Sequence, residues 1–218
     1  MECRRFEPGA FLAYFVQFLI LLTVFYSIFI GDFSLAGLAI IALLITIVPY
    51  VIRGKDGMRV CLPWGVNLLI ALSLFLHVAG YAGEYYETYF PYYDKIAHII
   101  SSSTIAILGF VLVLLVDRLN DLGLRRWMIA VLILSITMSM GAIWEIYEFA
   151  ADQILGTRLQ YGLTDTMLDL IFDLLGAILV AAFGSLYLRR ITKEELTRRL
   201  FIHPQPGSPE TRQADEVE

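Results

Sequence analysis

Six long apolar runs dominate the chain, at Phe11–Ile30, Leu35–Ile52, Leu62–Gly83, Ile96–Val116, Trp127–Ala151 and Met167–Leu188, and short polar connections separate them. An apolar run of about 18 residues suffices to cross a bilayer as a helix. The connections leave no segment for a soluble domain of useful size. The pattern therefore predicts an all-α, polytopic integral membrane protein, a six-helix transmembrane bundle over residues 11–190. Residues 1–10 precede the bundle and residues 191–218 follow it. A short basic amphipathic helix is predicted over Ile191–Phe201. Beyond it, three prolines and Glu210, Asp215, Glu216 and Glu218 replace apolar periodicity, which predicts disorder.

Charge placement orients the bundle. Arg4 and Arg5 precede the first run, but some 20 apolar residues with no small-x-small cleavage site after them predict a retained anchor and not a signal peptide. Fourteen Lys and Arg fall at the amino terminus, in the second and fourth connections and in the carboxyl tail; only Lys95 and Arg158 fall on the opposite side. The positive-inside rule then places both termini in the cytoplasm of a multi-pass cell (inner) membrane protein. The net charge is −5, and the basic residues are spread along membrane-flanking loops and not gathered into a patch interleaved with aromatics, so nucleic acid is not a predicted partner. Cys3 and Cys61 are the only cysteines, and both lie on the cytoplasmic side, so no disulfide framework is predicted.

With that topology, the ionisable residues of the last four runs gather at their outer ends. His77 lies about seven residues from the end of the third run, roughly 10 Å deep at 1.5 Å per residue. Asp94 and His98 are spaced i, i+4, with Ser101 and Ser102 further along. Glu145, Glu148 and Asp152 are spaced i, i+3 and i+7, and Asp165, Asp169 and Asp173 follow at steps of four. These spacings stack each set on one helix face. Ala177, Ala181 and Gly184 continue the Asp169 stripe and allow close helix contact. A lone charge at a helix centre in the bilayer costs roughly 2.5 to 3.5 kcal/mol on insertion scales, so acids there need partners and mark a functional site.

Simpler roles compete at several positions. Asp94, after Pro91-Tyr92-Tyr93, suits a helix N-cap, and Asp165, after Thr164, suits one better still. Asp152 suits a solvated interfacial position. Glu145, Glu148, Asp169 and Asp173 lie within apolar runs, where capping does not account for a carboxylate; the alternative for them is a hydrogen-bonded clamp between helices. His98 gains a tautomer-fixing partner in Asp94 one turn away. The tyrosines between Tyr81 and Tyr93 suit an interfacial aromatic belt, or a platform over the polar layer in which Tyr81, Tyr93, Trp144 and Tyr147 contact a ligand. Ser102 beside His98 lacks a nucleophile elbow.

The strings Asp94-Lys95-Ile96-Ala97-His98, Trp144-Glu145-Ile146-Tyr147-Glu148 and Thr164 to Gly176 resemble the YjdF-type inner-membrane proteins. The DKxxH opening and the final D-x3-[ND]-x2-G helix are more distantly similar to VanZ-type membrane proteins, a family linked to glycopeptide resistance. Those chains tend to carry E-x2-Q and Asn where this one has Glu145, Glu148 and Asp173. Neither resemblance implies a substrate.

The donor set His98, Glu145, Glu148, Asp169 and Asp173, with His77 and Asp94 as neighbours, predicts binding of a divalent metal, with Zn, Mn or Fe suited to mixed imidazole and carboxylate ligands. As an enzyme, such a site would use Glu145, Glu148 and Asp169 on a lipid-linked or amphipathic ligand arriving from the bilayer. The sequence leaves two alternatives open: a proton- or cation-coupled transporter, and a structural membrane subunit.

Overall fold

Each apolar run forms one long helix, and the sequence supplies recognisable starts and stops. The computed structural model describes residues 9–51, 59–60, 62–189, 195–196 and 201–202. Helix α1 spans Ala10–Ile30 and stops at Gly31, whose φ of 79° is left-handed and whose N–H donates to Ile28 O at 3.2 Å. Asp32 Oδ1 then accepts the Leu35 N–H at 2.9 Å and opens α2, Phe33–Val51. The chain continues through α3 (Trp64–Ala82), the single-turn α4 (Tyr85–Thr88), α5 (Tyr92–Leu119), α6 (Arg126–Leu155) and α7 (Leu163–Tyr187). Gly156, φ 69°, closes α6 with its N–H on Asp152 O. Strands β1 (Arg59–Val60) and β2 (Phe201–Ile202) form a two-residue antiparallel pair, with Arg59 opposite Ile202. Six of these helices have the length and composition of membrane spans, so the chain is a polytopic helical membrane protein.

Helices α1 to α3 start and end within two residues of the apolar runs, whereas α5 and α7 start about a turn earlier than hydropathy alone would put them. Helix α5 begins before Ile96 and α7 before Met167. That extra turn places Asp94, Lys95 and Asp165 inside helices. In the predicted tail helix Ile191–Phe201, Glu195 and Leu196 are helical; its other positions before Phe201, and the tail after Ile202, lie outside the described residues.

Internal contacts divide the chain into two compact units. In the first, residues 1–72 with 192–218, α1 packs on α2. The buried α1 positions Ala13, Val16, Ile20, Val24 and Ser27 recur every three or four residues, and Ala36, Ala39, Ala42 and Thr46 do the same on α2. Small residues on one side let the two helices approach closely.

In the second unit, residues 73–191, α5, α6 and α7 pack against one another. Each buries one stripe: Asp94, His98, Ser102, Ala106, Gly109 and Val113 on α5; Ile129, Ile133, Thr137, Gly141, Glu145 and Glu148 on α6; Asp165, Asp169, Asp173, Ala177 and Ala181 on α7. The opposite faces expose Ile143, Ile146, Phe149, Ile171 and Ile178, as suits lipid. Gly176 shows how close the α5–α7 contact is: a Cβ there would run into Ser102 Oγ and come within 3.0 Å of Ile99 O. The small and apolar parts of the three stripes hold the helices together, and their polar parts meet at one end.

Candidate functional site

At that end, Lys95 is the centre of an ion cluster. Its Nζ lies 2.5 Å from Asp165 Oδ1, 2.8 Å from Asp169 Oδ1 and 3.0 Å from Asp94 Oδ2, and only 6% of its side chain is exposed. A buried ammonium is tolerated when all its donors find acceptors, and three carboxylates satisfy its three N–H groups. This corrects three expectations. Lys95 is not a loop charge. Asp94 and Asp165 are not caps: the cap positions of α5 and α7 are Pro91 and Gly162, neither with a side-chain capping bond, and both acids are buried in the cluster.

His98 lies next to it, one turn along α5. Its Nδ1 is 3.2 Å from Asp173 Oδ1. Its Nε2 faces three other acids, at 3.5 Å from Asp169 Oδ1, 3.6 Å from Asp94 Oδ1 and 4.0 Å from Glu145 Oε1. The predicted residues Asp94, His98, Glu145, Asp169 and Asp173 are thus brought together from three helices. Glu148 is buried one turn from Glu145 on the same stripe. One ligand atom each of Asp94, His98 and Asp169 lies within 4.8 Å of the others, the spacing of a metal-ligand set.

The acids outnumber their partners. Asp94, Glu145, Glu148, Asp165, Asp169 and Asp173 are all buried, against Lys95 and His98. Glu145 and Asp173 keep buried oxygens in this layer that make no hydrogen bond of good geometry, Glu145 having the Thr166 hydroxyl as a neighbour. Buried carboxylate oxygens normally have a partner, which sets these apart from the acids that hold Lys95.

His77 does not join this set. Its Nδ1 is hydrogen-bonded to Tyr86 Oη at 2.6 Å and its Nε2 to Ser101 Oγ at 3.2 Å, with the Trp144 ring 5.2 Å away. Both nitrogens thus have hydrogen-bond partners apart from the cluster around His98. Burial pushes the Tyr86 phenol well above its ordinary pKa, so it stays a neutral hydroxyl. Of the proposed ligand aromatics, Tyr81 packs on Tyr86 at 4.9 Å, Tyr93 donates its hydroxyl to Leu76 O at 2.6 Å, and Tyr147 is 53% exposed. Asp152 accepts from Thr157 Oγ1 and from the Leu159 and Gln160 N–H groups, and so organises the α6–α7 connection.

Lys95, Tyr86 and Gly141 carry structure that the sequence reading missed. The signal for Lys95 was its place in the first turn of α5, beside Asp94 and three residues before His98, in a chain with unpaired acids on two later helices.

An uncharacterised protein of Thermotoga maritima is similar to this chain, with 35% identity over 145 residues, 66% of this chain and 69% of the relative. No solved structure matches. The family model described as predicted membrane protein (DUF2238) matches residues 11–190, all six spans and every residue of the acidic layer, so the chain belongs to the DUF2238 family of membrane proteins, as the likeness to its YjdF-type members implied.

Proposed function

We propose that the acidic layer is an intramembrane site for a divalent transition-metal cation. Asp94 Oδ1, His98 Nε2 and Asp169 Oδ1 are its ligands, Glu145 its fourth donor, and Asp173 the partner that orients His98. The observation that carries this is the spacing about His98 Nε2. Metal bonds of about 2.1 Å in a tetrahedron set ligand atoms roughly 3.4 Å apart, and the Asp169 and Asp94 oxygens lie 3.5 and 3.6 Å from that nitrogen. Glu145 Oε1, at 4.0 Å, needs a small side-chain movement to close the set. Asp173 on Nδ1 makes the carboxylate–histidine pair that supports many metal ligands. Zn, Mn or Fe suits this donor chemistry. Glu148 and Asp173, where the chain departs from the VanZ-type pattern, both add a carboxylate, which favours cation binding over a VanZ-type activity.

A bound dication would supply Lewis acidity beside the buried carboxylate Glu148, an arrangement suited to hydrolysis of a lipid-linked or amphipathic ligand entering from the bilayer. Helix α5 has no polar residue from Ile105 to Val116, and α7 no charged residue from Leu174 to Tyr187. A closed floor of this kind favours a binding or catalytic site over a transport path. The bias of basic residues puts the layer on the outer side, and it strengthens once Lys95 is counted in the cluster and not in a loop.

Metal analysis of protein purified in detergent tests the proposal. Wild type retains stoichiometric Zn, Mn or Fe, whereas His98→Ala and Asp169→Asn lose it while keeping their helical circular dichroism. Equal, near-zero metal in all three overturns it.

A further inference from the structure

Two of the proposed metal ligands are already engaged by a cation that belongs to the chain. Asp169 Oδ1 lies 2.8 Å from Lys95 Nζ and 3.5 Å from His98 Nε2. Asp94 divides its oxygens, Oδ2 to Lys95 at 3.0 Å and Oδ1 toward His98 at 3.6 Å. A dication bonded to Asp169 Oδ1 and the ammonium on that same oxygen would be close neighbours of like charge, which a buried site penalises strongly. The third partner of Lys95 offers a way out. Asp165 Oδ1, at 2.5 Å, is the shortest of its contacts, and Asp165 is one turn from Asp169 on α7, outside the set that faces His98. Glu145 is buried with Oε1 4.0 Å from His98 Nε2 and is not one of the three carboxylates that hold Lys95, so the acidic excess is not exhausted by the ammonium.

We propose that Lys95 is a tethered competitor of the metal, which holds the site in its unloaded state, withdraws onto Asp165 as a dication enters, and thereby sets selectivity by valence. An incoming monovalent ion brings no more charge than the ammonium it must displace from Asp169, so exchange gains nothing. A dication brings twice that charge and the imidazole bond of His98 as well. The inference rests on the cation reading above and deepens it, because it assigns to Lys95 the choice of ion and to Asp165 the berth that makes loading reversible.

The test is Zn2+ binding by calorimetry in lipid nanodiscs, with Na+ varied at constant ionic strength, on wild type, Lys95→Met, Asp165→Asn and the double variant. Removing the competitor tightens Zn2+ binding by about tenfold or more and makes it sensitive to Na+, to which wild type is indifferent. Asp165→Asn weakens Zn2+ binding when Lys95 is present, because the ammonium has lost its berth, and has no effect in the Lys95→Met background. That dependence separates displacement from a merely structural role. Wild type that binds Zn2+ with Lys95→Met no tighter, or with Asp165→Asn unchanged, overturns the inference and leaves the cation site standing. Should Lys95→Met fail to fold, Asp165→Asn alone decides. Absence of Zn2+ binding in every folded variant overturns the cation reading itself.

Discussion

Gly141 and Asp173 meet across the α6–α7 contact so closely that a Cβ on the glycine would strike Asp173 Oδ2. Gly141 lies one helical turn from Glu145, so the same stripe of α6 that supplies one carboxylate makes room for another. Gly141→Ala should therefore push Asp173 off His98 and destabilise the protein by about 1–3 kcal/mol, as overpacking of a close contact does. Gly37, whose Cβ would meet nothing within 4 Å, is the internal control; there alanine should be neutral or raise stability by up to about 1 kcal/mol through helix propensity. Thermal melting in detergent separates the two, and equal effects would remove Gly141 from any special role.

Without metal, Lys95→Met leaves three buried carboxylates facing each other. Breaking a buried ion pair by removing one partner costs about 3–5 kcal/mol, and the 6% exposure of the Lys95 side chain puts it in that class. The variant should melt well below wild type in chelator and recover part of the loss when Zn2+ is added. No recovery with Zn2+ would argue that the ammonium and the metal do not share oxygens.

Asp173→Asn keeps the volume next to Gly141 but weakens the hold on His98 Nδ1. Loss of a ligand's supporting carboxylate typically lowers metal affinity 10–100-fold. Calorimetry should show that drop with near wild-type helical content, and unchanged affinity would mean that Asp173 does not orient the imidazole.

Chelator should act only through the layer. If metal binds the native state, its removal lowers the melting temperature of wild type by mass action. It should leave His98→Ala unmoved, and a shift of equal size in that variant would place the metal elsewhere.

His77 and its partners should behave as a separate network. Tyr86→Phe removes the 2.6 Å bond to His77 Nδ1, at a cost of about 0.5–1.5 kcal/mol, with Zn2+ affinity unchanged. A loss of Zn2+ binding in this variant would join His77 to the metal layer after all.

Much of this was legible from spacing. Steps of three and four placed Asp94 with His98, Glu145 with Glu148, and Asp169 with Asp173, because a helix stacks those positions whatever surrounds it. Hydropathy located six spans for the same reason. It failed at their ends, where Asp94, Lys95 and Asp165 are polar enough to look like caps and loops but are paired with one another from different helices. Pairing between residues 70 positions apart, as for Lys95 and Asp165, leaves no periodic trace. The partners of His77 were not legible either, since nothing in its own helix announces a hydrogen bond to Tyr86 in the next.

Asp152, an acid of the right type just outside the layer, takes no part in its chemistry and yet governs its alignment. By gathering Thr157, Leu159 and Gln160, while Gln160 in turn reaches Thr166 on α7 at 2.9 Å, it stitches the α6–α7 hairpin shut. The length of that stitched turn is a gauge: it fixes how far up α7 Asp169 and Asp173 stand relative to Glu145 and Glu148. One residue added between Gly156 and Gly162 would advance α7 by a fraction of a turn and swing its carboxylates toward the lipid, ruining the layer with every one of its members still in place.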